Sequence, residues 1–412
     1  MHGRRQVVGG GLGLLVGAWL GRDRLAHAAP AAAAKAKHVI VLWMNGGPSH
    51  IDTWDPKTGA TGGRHKSIAT SAPGVRISEH MPLLARSANK LAIVRGMTSK
   101  EGNHVRAQYL VHTGYSPNPT VQHPAFGAWM SKEMGEPESG LPAFVSLNGA
   151  SAGGGFFGVQ HGPFIVRAGG ELPADTTLAP DVDEARFSAR QKLLGDLESS
   201  FATRTGDAKV EGRRELYGKA DKLMHASALA AFDVGKEPAA TAKSFGDSGF
   251  GRACLTAVRL IGAGVRYVEV TLDGWDTHKN GFDRTKALMG TLDPAMSGML
   301  AELEHRGLLK ETLVVWMGEF GRTPRINGDE GRDHYPAAWS AVLAGAGIRG
   351  GITHGETDAE GAKVVRDPVT IPDLLATIAT KLGMSPDEAV MTPAGRPISL
   401  TEGGTPVRAL ST

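Results

Sequence analysis

The sequence predicts an α/β protein built on a mostly parallel sheet with helices on both faces. Three observations carry that reading. Short apolar runs rich in β-branched residues recur along the chain, as strands buried on both faces require. Stretches with helical apolar spacing separate them, and such alternation favours parallel strands joined by crossover helices. Polar clusters follow several of the runs at once, which is where ligands gather in open parallel sheets.

The first strand is His38 to Met44 (HVIVLWM). It delivers Asn45-Gly46-Gly47-Pro48-Ser49-His50-Ile51-Asp52. Asn45 and Asp52 offer oxygen ligands, with turn formation and helix capping as the alternative for both. Ser49 offers a hydroxyl that a metal would have to activate. Gly46-Gly47 would let backbone N–H groups approach an anion. Leu91 to Gly96 is a second strand, leading to His104. This histidine is placed either at the same mouth or in a capping or core role. Pro142 to Leu147 is a third strand, followed by a long Gly-rich loop. From Asp183 to about Pro238 the text is charged and helix-compatible, read as helices over one edge or lid, an insertion spanning about 183–245. A helix from Phe250 to Ala263 carries the single cysteine, Cys254. One cysteine excludes an intramolecular disulfide and thiolate zinc sites, and a buried inert thiol is expected.

Val265 to Leu272 is the next strand and delivers Asp273-Gly274-Trp275-Asp276-Thr277-His278. Asp276 and His278 supply an oxygen and a nitrogen donor suited to zinc or a similar divalent ion. A helix follows over Thr285 to Glu304, then the strand Thr312 to Met317. Behind that strand, GEFGRTPRINGDEGRDHYP packs Glu319, Arg322, Asp333 and His334 into one loop between two buried runs. Acid, imidazole and guanidinium together on a loop held by a rigid scaffold suggest a metal or oxyanion site. The strand Ser340 to Ala344 comes next, and the amphipathic helix Ile371 to Leu382 is stopped by Gly383.

Residues 1–28 read as a secretory signal: a basic start, an apolar segment from Val7 to Leu20, and small residues around Ala26-His27-Ala28. Arg4-Arg5-Gln6-Val7-Val8 resembles a twin-arginine signal, and the apolar segment is too short and Gly-rich for a good membrane span. Four Arg against one Asp give this leader the whole formal charge of +3, so the remaining chain is neutral. The basic pI therefore gives no argument for nucleic acid, and no stable membrane span is expected after processing.

The stretches VLWMNGGPSHIDTWDPK, GWDTH, GEFGRTP, GRDHYP, AGAGIRGG and DPVTIPDLLATIATKLG together resemble the exported bacterial family called domain of unknown function 1501, over roughly residues 36 to 400. That family is placed with alkaline-phosphatase-like and sulfatase-like metalloenzymes. The resemblance implies a three-layer α/β sandwich, a single domain over 29–412, with one or two divalent ions at the strand ends: zinc first, then magnesium, manganese or calcium. Asn45 stands in the place of the first Asp, with Asp52 as a substitute, and Ser49 is the nucleophile candidate. Asp276 and His278 match the middle pair. Two registrations of the later strand are open. In one, Asp333-His334 is the Asp-His pair. In the other, preferred because the pair normally follows its strand at once, Glu319 takes that place and Asp333-His334 supplies the last His.

The preferred registration puts His334, His278 and Asp276 within about 5 Å of one another, with Glu319 beside Asn45 or Asp52 in a second metal position. Arg322 then grips a phosphate or sulfate by forked hydrogen bonds; a structural ion pair with Glu319 or Asp333 is its other role. His354 would be a backup last ligand, although its place in a GGITHG turn favours an exposed side chain. The implied function is a metal-dependent hydrolase of phosphate or sulfate esters in the periplasm or outside the cell, with ions about 4 Å apart and Ser49 or water attacking. Its substrate would be a small anionic ester or a sulfated or phosphorylated glycan. A formylglycine sulfatase is disfavoured, because no Cys-x-Pro-x-Arg signature is present. The alternative is a non-catalytic exported binding or assembly protein with a remnant site, favoured by Asn45 replacing a carboxylate.

Overall fold

Eight strands form one sheet in the computed structural model, which describes residues 36–167, 170–205 and 209–412. The leader assigned to residues 1–28 lies outside the described residues. In chain order the strands are β1 (His38–Met44), β2 (Leu91–Met97), β3 (Phe144–Leu147), β4 (Phe164–Val166), β5 (Tyr267–Leu272), β6 (Thr312–Met317), β7 (Trp339–Gly345) and β8 (Ile352–His354). Their order across the sheet is β8-β2-β7-β6-β1-β5-β3-β4. Every neighbouring pair is parallel except the two made by β7, which runs against β2 and β6. The fold is the α/β class that the alternating runs predict.

Alternation along the central strands shows why there are three layers. Ile40, Leu42 and Met44 of β1 enter one core, while Val39, Val41 and Trp43 enter the other. In β6, Val314 and Trp316 take the first side and Leu313, Val315 and Met317 the second. A strand with two buried faces reads as continuous apolar text. Each fully buried side chain of this kind contributes about 1.5–3 kcal/mol. The first core is closed by two helices, Gly249–Gly262 and Gly281–His305. The second is closed by α1 (His104–Thr113), by Phe126–Met134 and by Ile371–Lys381. Ile371–Lys381 starts with a Thr370–Asp373 capping box and a proline in its first turn, the expected entry signals. Cys254 is buried in Gly249–Gly262, and burial pushes its thiol pKa well up, as an inert core thiol requires.

The charged stretch forms two helices, Glu184–Thr205 and Lys209–His225, followed by short turns of 3-10 helix. Among the described residues, no helix is long and apolar enough to cross a membrane.

The register decides what meets at the sheet's carboxyl edge. Met44 pairs with Leu272, and Trp43 pairs with Met317, so β5, β1 and β6 end side by side. The residues just beyond them, Asn45, Asp273 and Gly318, therefore share one rim. Antiparallel β7 begins at that same rim, directly after the loop carrying Asp333 and His334.

Candidate metal centre

Three histidines and an aspartate point ring or carboxylate atoms at one place on this rim. His278 Nε2 lies 3.1 Å from Asp276 Oδ1, His334 Nε2 lies 3.4 Å from it and His104 Nε2 3.5 Å. His278 Nε2 and His334 Nε2 are 3.0 Å apart. Donors around a tetrahedral zinc, at bonds of about 2.0–2.1 Å, sit roughly 3.3 Å from one another; His104, Asp276 and His334 each offer one atom within 4.8 Å of the other two, and His278 stands beside that set against Asp276 and His334. One further observation fits. His104 Nε2 is buried with no hydrogen-bond partner, a costly state for a nitrogen lone pair unless something occupies the space before it.

The far nitrogens show the same design. His104 Nδ1 meets Glu319 Oε1 at 2.7 Å, His278 Nδ1 meets Asp333 Oδ1 at 2.9 Å, and His334 Nδ1 meets the Gly102 carbonyl at 2.8 Å. An acceptor on Nδ1 holds the proton there and leaves Nε2 with a lone pair, the usual arrangement behind metal-binding imidazoles. The bond from Glu319 outweighs burial and raises the pKa of His104. His334 has a lowered pKa because burial dominates. Phe320 packs beneath both rings, with centroids 4.9 Å from His104 and 4.6 Å from His334.

Asp276 is held by Arg322, whose Nη2 donates to Oδ1 at 2.6 Å. Burial pushes the carboxyl up, but that bond and the adjacent charge prevail and lower its pKa to about 2. The neighbouring Trp275 is fully buried and meets Trp316 of β6 edge-on at 6.4 Å, which anchors the loop. Two glycines allow the loops to close. Gly46 has φ +115°, and a Cβ there would lie 2.3 Å from the Asp276 nitrogen. A Cβ on Gly331 would lie 2.1 Å from the His278 carbonyl oxygen.

The remaining candidates take other places. Glu319 is fully buried, accepts the Gly46 N–H at 3.0 Å and supports His104; it does not reach a second ion position. The Gly46 amide expected to meet an external anion is thus taken by a carboxylate of the chain. Asn45 is occupied at both ends, donating to Asp273 Oδ1 at 2.6 Å and accepting from Gln108 Nε2 at 2.7 Å. Asp52 is in a buried ion pair with Arg332, at 2.7 Å and 3.2 Å, and supplies no metal donor. Asp333 stands behind His278 and does not join the converging atoms. Ser49 is only 2% exposed, and its hydroxyl accepts the Asp52 N–H at 3.2 Å, so it caps a turn where a nucleophile was expected.

Arg322 is fully buried. Its guanidinium is spent on the Gly46, Gly47 and Arg332 carbonyls and on Asp276, which leaves it structural and not a grip on substrate. His354 lies on the edge strand β8, paired with β2, and is not among the converging atoms. His104 was the residue sequence reading left unassigned. Its one signal was its place after a strand, which Asp276 and Glu319 share.

Beside the cluster, one helical turn along α1 from His104, lies a cleft of about 420 Å³. Trp43, Asn45, Gln108, Tyr109, Ser151 and Asp273 line it, and no Lys or Arg is among its described lining residues.

A family model described as "Protein of unknown function (DUF1501)" matches residues 36–411. No curated protein matches. Among solved structures, the chain is similar to a lipoteichoic acid synthase from Listeria monocytogenes, at 10% identity over 90% of this chain and 76% of that one, TM-score 0.39. It is similar to a sulfatase from Pseudoalteromonas sp., at 12% identity over 85% and 68%, TM-score 0.41. It is also similar to a phosphonate monoester hydrolase from Silicibacter pomeroyi, at 11% identity over 91% and 76%, TM-score 0.37.

Proposed function

This chain belongs to the DUF1501 family, and we propose that it is an exported hydrolase of phosphate or sulfate esters that depends on a divalent ion, zinc first among the choices. The convergence of His104, His278 and His334 Nε2 on Asp276 Oδ1 carries this reading. The ester class rests on the motif resemblance, and export rests on the text of residues 1–28. A divalent ion held there supplies Lewis-acid polarisation of an ester oxygen.

The chain's own residues do the rest. Glu319, Asp333 and the Gly102 carbonyl fix the three imidazole tautomers and aim the rings. Arg322 keeps Asp276 ionised and in place. Asn45, Gln108 and Asp273 line the cleft that would take the alcohol portion of the ester. With Ser49 enclosed, the attacking oxygen comes from water. Occupation of Asn45, Asp52 and Glu319 by protein partners favours one ion over two.

The test is turnover of aryl phosphate and aryl sulfate panels by protein supplied with zinc, manganese or magnesium, beside His334→Ala. Turnover that chelation removes and His334→Ala lacks supports the proposal. A second reading, a non-catalytic exported metal-binding protein, is favoured by one observation: Ser49 and Arg322, the two side chains expected to act on the ester, are both enclosed. Full metal loading with no turnover on either panel selects it.

A further inference from the structure

The hairpin that follows the first loop carries a second group of donors, away from the residues described above. Ser67–Ala69 pairs with Arg76–Ser78 antiparallel, with Ser67 opposite Ser78. The pairing extends one step further, since the Glu79 N–H donates to the Lys66 carbonyl at 2.9 Å. His65 and His80 are then the next cross-strand pair, close enough for their side chains to meet. Their rings are edge-on with centroids 4.5 Å apart, and His65 Nδ1 lies 3.0 Å from His80 Nε2.

The protons can be placed. His65 Nε2 lies 3.1 Å from the Phe282 carbonyl, which only accepts, so Nε2 holds the proton and Nδ1 keeps its lone pair. The same pattern, a ring nitrogen held by a backbone carbonyl, aims His334 in the first cluster. Glu79 supplies the third corner, with Oε1 4.0 Å from His80 Nε2, and one donor atom from each of the three lies within 4.8 Å of the others. None of the three is fully enclosed, so water or an added ligand can fill a fourth position. Two imidazoles and a carboxylate are a zinc donor set.

We propose that His65, Glu79 and His80 bind a second divalent cation, zinc by donor type, independent of the ester-hydrolase reading. The ion displaces the His80 Nε2 proton, and the ring keeps its neutral charge by carrying the proton on Nδ1. Its effect is structural. It ties the hairpin to Phe282 in the first turn of Gly281–His305, a helix that starts three residues after His278. Lys286 lies near enough to His80 to oppose the added charge.

The experiment is equilibrium binding of zinc chloride to metal-stripped full-length protein, followed by elemental analysis and by thermal unfolding. Wild type is expected to take two equivalents and His278→Ala/His334→Ala one. Adding His65→Ala/His80→Ala to that background is expected to leave none and to abolish the zinc-dependent rise in unfolding temperature. If the background binds no zinc, or if the quadruple variant binds as much as its background, the second site is overturned. A background that binds as much as wild type instead overturns the first site. His80→Gln, which preserves polarity on the partly buried hairpin, is expected to weaken the second equivalent at least tenfold; unchanged affinity there also overturns the proposal.

Discussion

Glu319 and His104 meet at 2.7 Å across 215 residues of sequence, one from the loop behind β6 and the other from the first turn of α1. The acid is fully buried and the imidazole is partly open. This contact makes Glu319 a positioning residue: it fixes where the His104 proton sits and leaves Nε2 for a cation.

Glu319→Gln keeps the shape and removes the charge behind His104. Losing such a partner behind a ligating histidine typically costs 10–100-fold in metal affinity. Competition against a chelator of known zinc affinity measures it. A change under twofold would show that Glu319 serves packing alone.

The same contact sets a pH dependence. The pKa of His104 is raised by its bond to Glu319. In metal-free protein, its contribution to stability is therefore fully present below the ordinary histidine value of about 6.5 and lost as pH rises through the raised value. Below that window Nε2 carries a second proton that zinc must displace, so apparent affinity falls as pH is lowered through it. Asp276, held to about 2, stays ionised throughout. Calorimetric titration in two buffers of different ionisation enthalpy should show proton release near neutral pH, and less of it in Glu319→Gln.

Asp52→Ala separates fold from site. It leaves Arg332 with a buried charge facing no carboxylate, and breaking such a pair costs about 3–5 kcal/mol. Urea unfolding should register that loss, while zinc stoichiometry of the folded protein stays unchanged. A loss of one zinc without a loss of stability would return Asp52 to the ligand set.

Gly46→Ala does the reverse. The added Cβ meets the Asp276 backbone at 2.3 Å in a conformation that side chains rarely adopt. The loop bearing Asp276 and His278 has to move, so zinc affinity should fall more than tenfold on chelator competition. Wild-type affinity would mean that the loop tolerates displacement.

The strands were legible because they are buried on both faces and so read as apolar runs. Their polar tails then announced the rim, since β1, β5 and β6 end together in register. Ligand roles were harder. A carboxylate that binds an ion and one that supports a histidine look alike in sequence, as Glu319 and Asp333 show. Arg322 and Asp52 misled for the same reason: charge suggests solvent, yet each is buried and paired within the protein. His104 was ambiguous because its role depends on β7 and β6 bringing distant loops to α1, a tertiary fact with no local spacing.

The most direct measurement is elemental analysis of wild type beside the folded His278→Ala/His334→Ala variant, both purified under mild conditions without chelator. The account predicts one equivalent of divalent metal fewer in the variant, with circular dichroism unchanged. Equal metal content in the two proteins, each well folded, would contradict it.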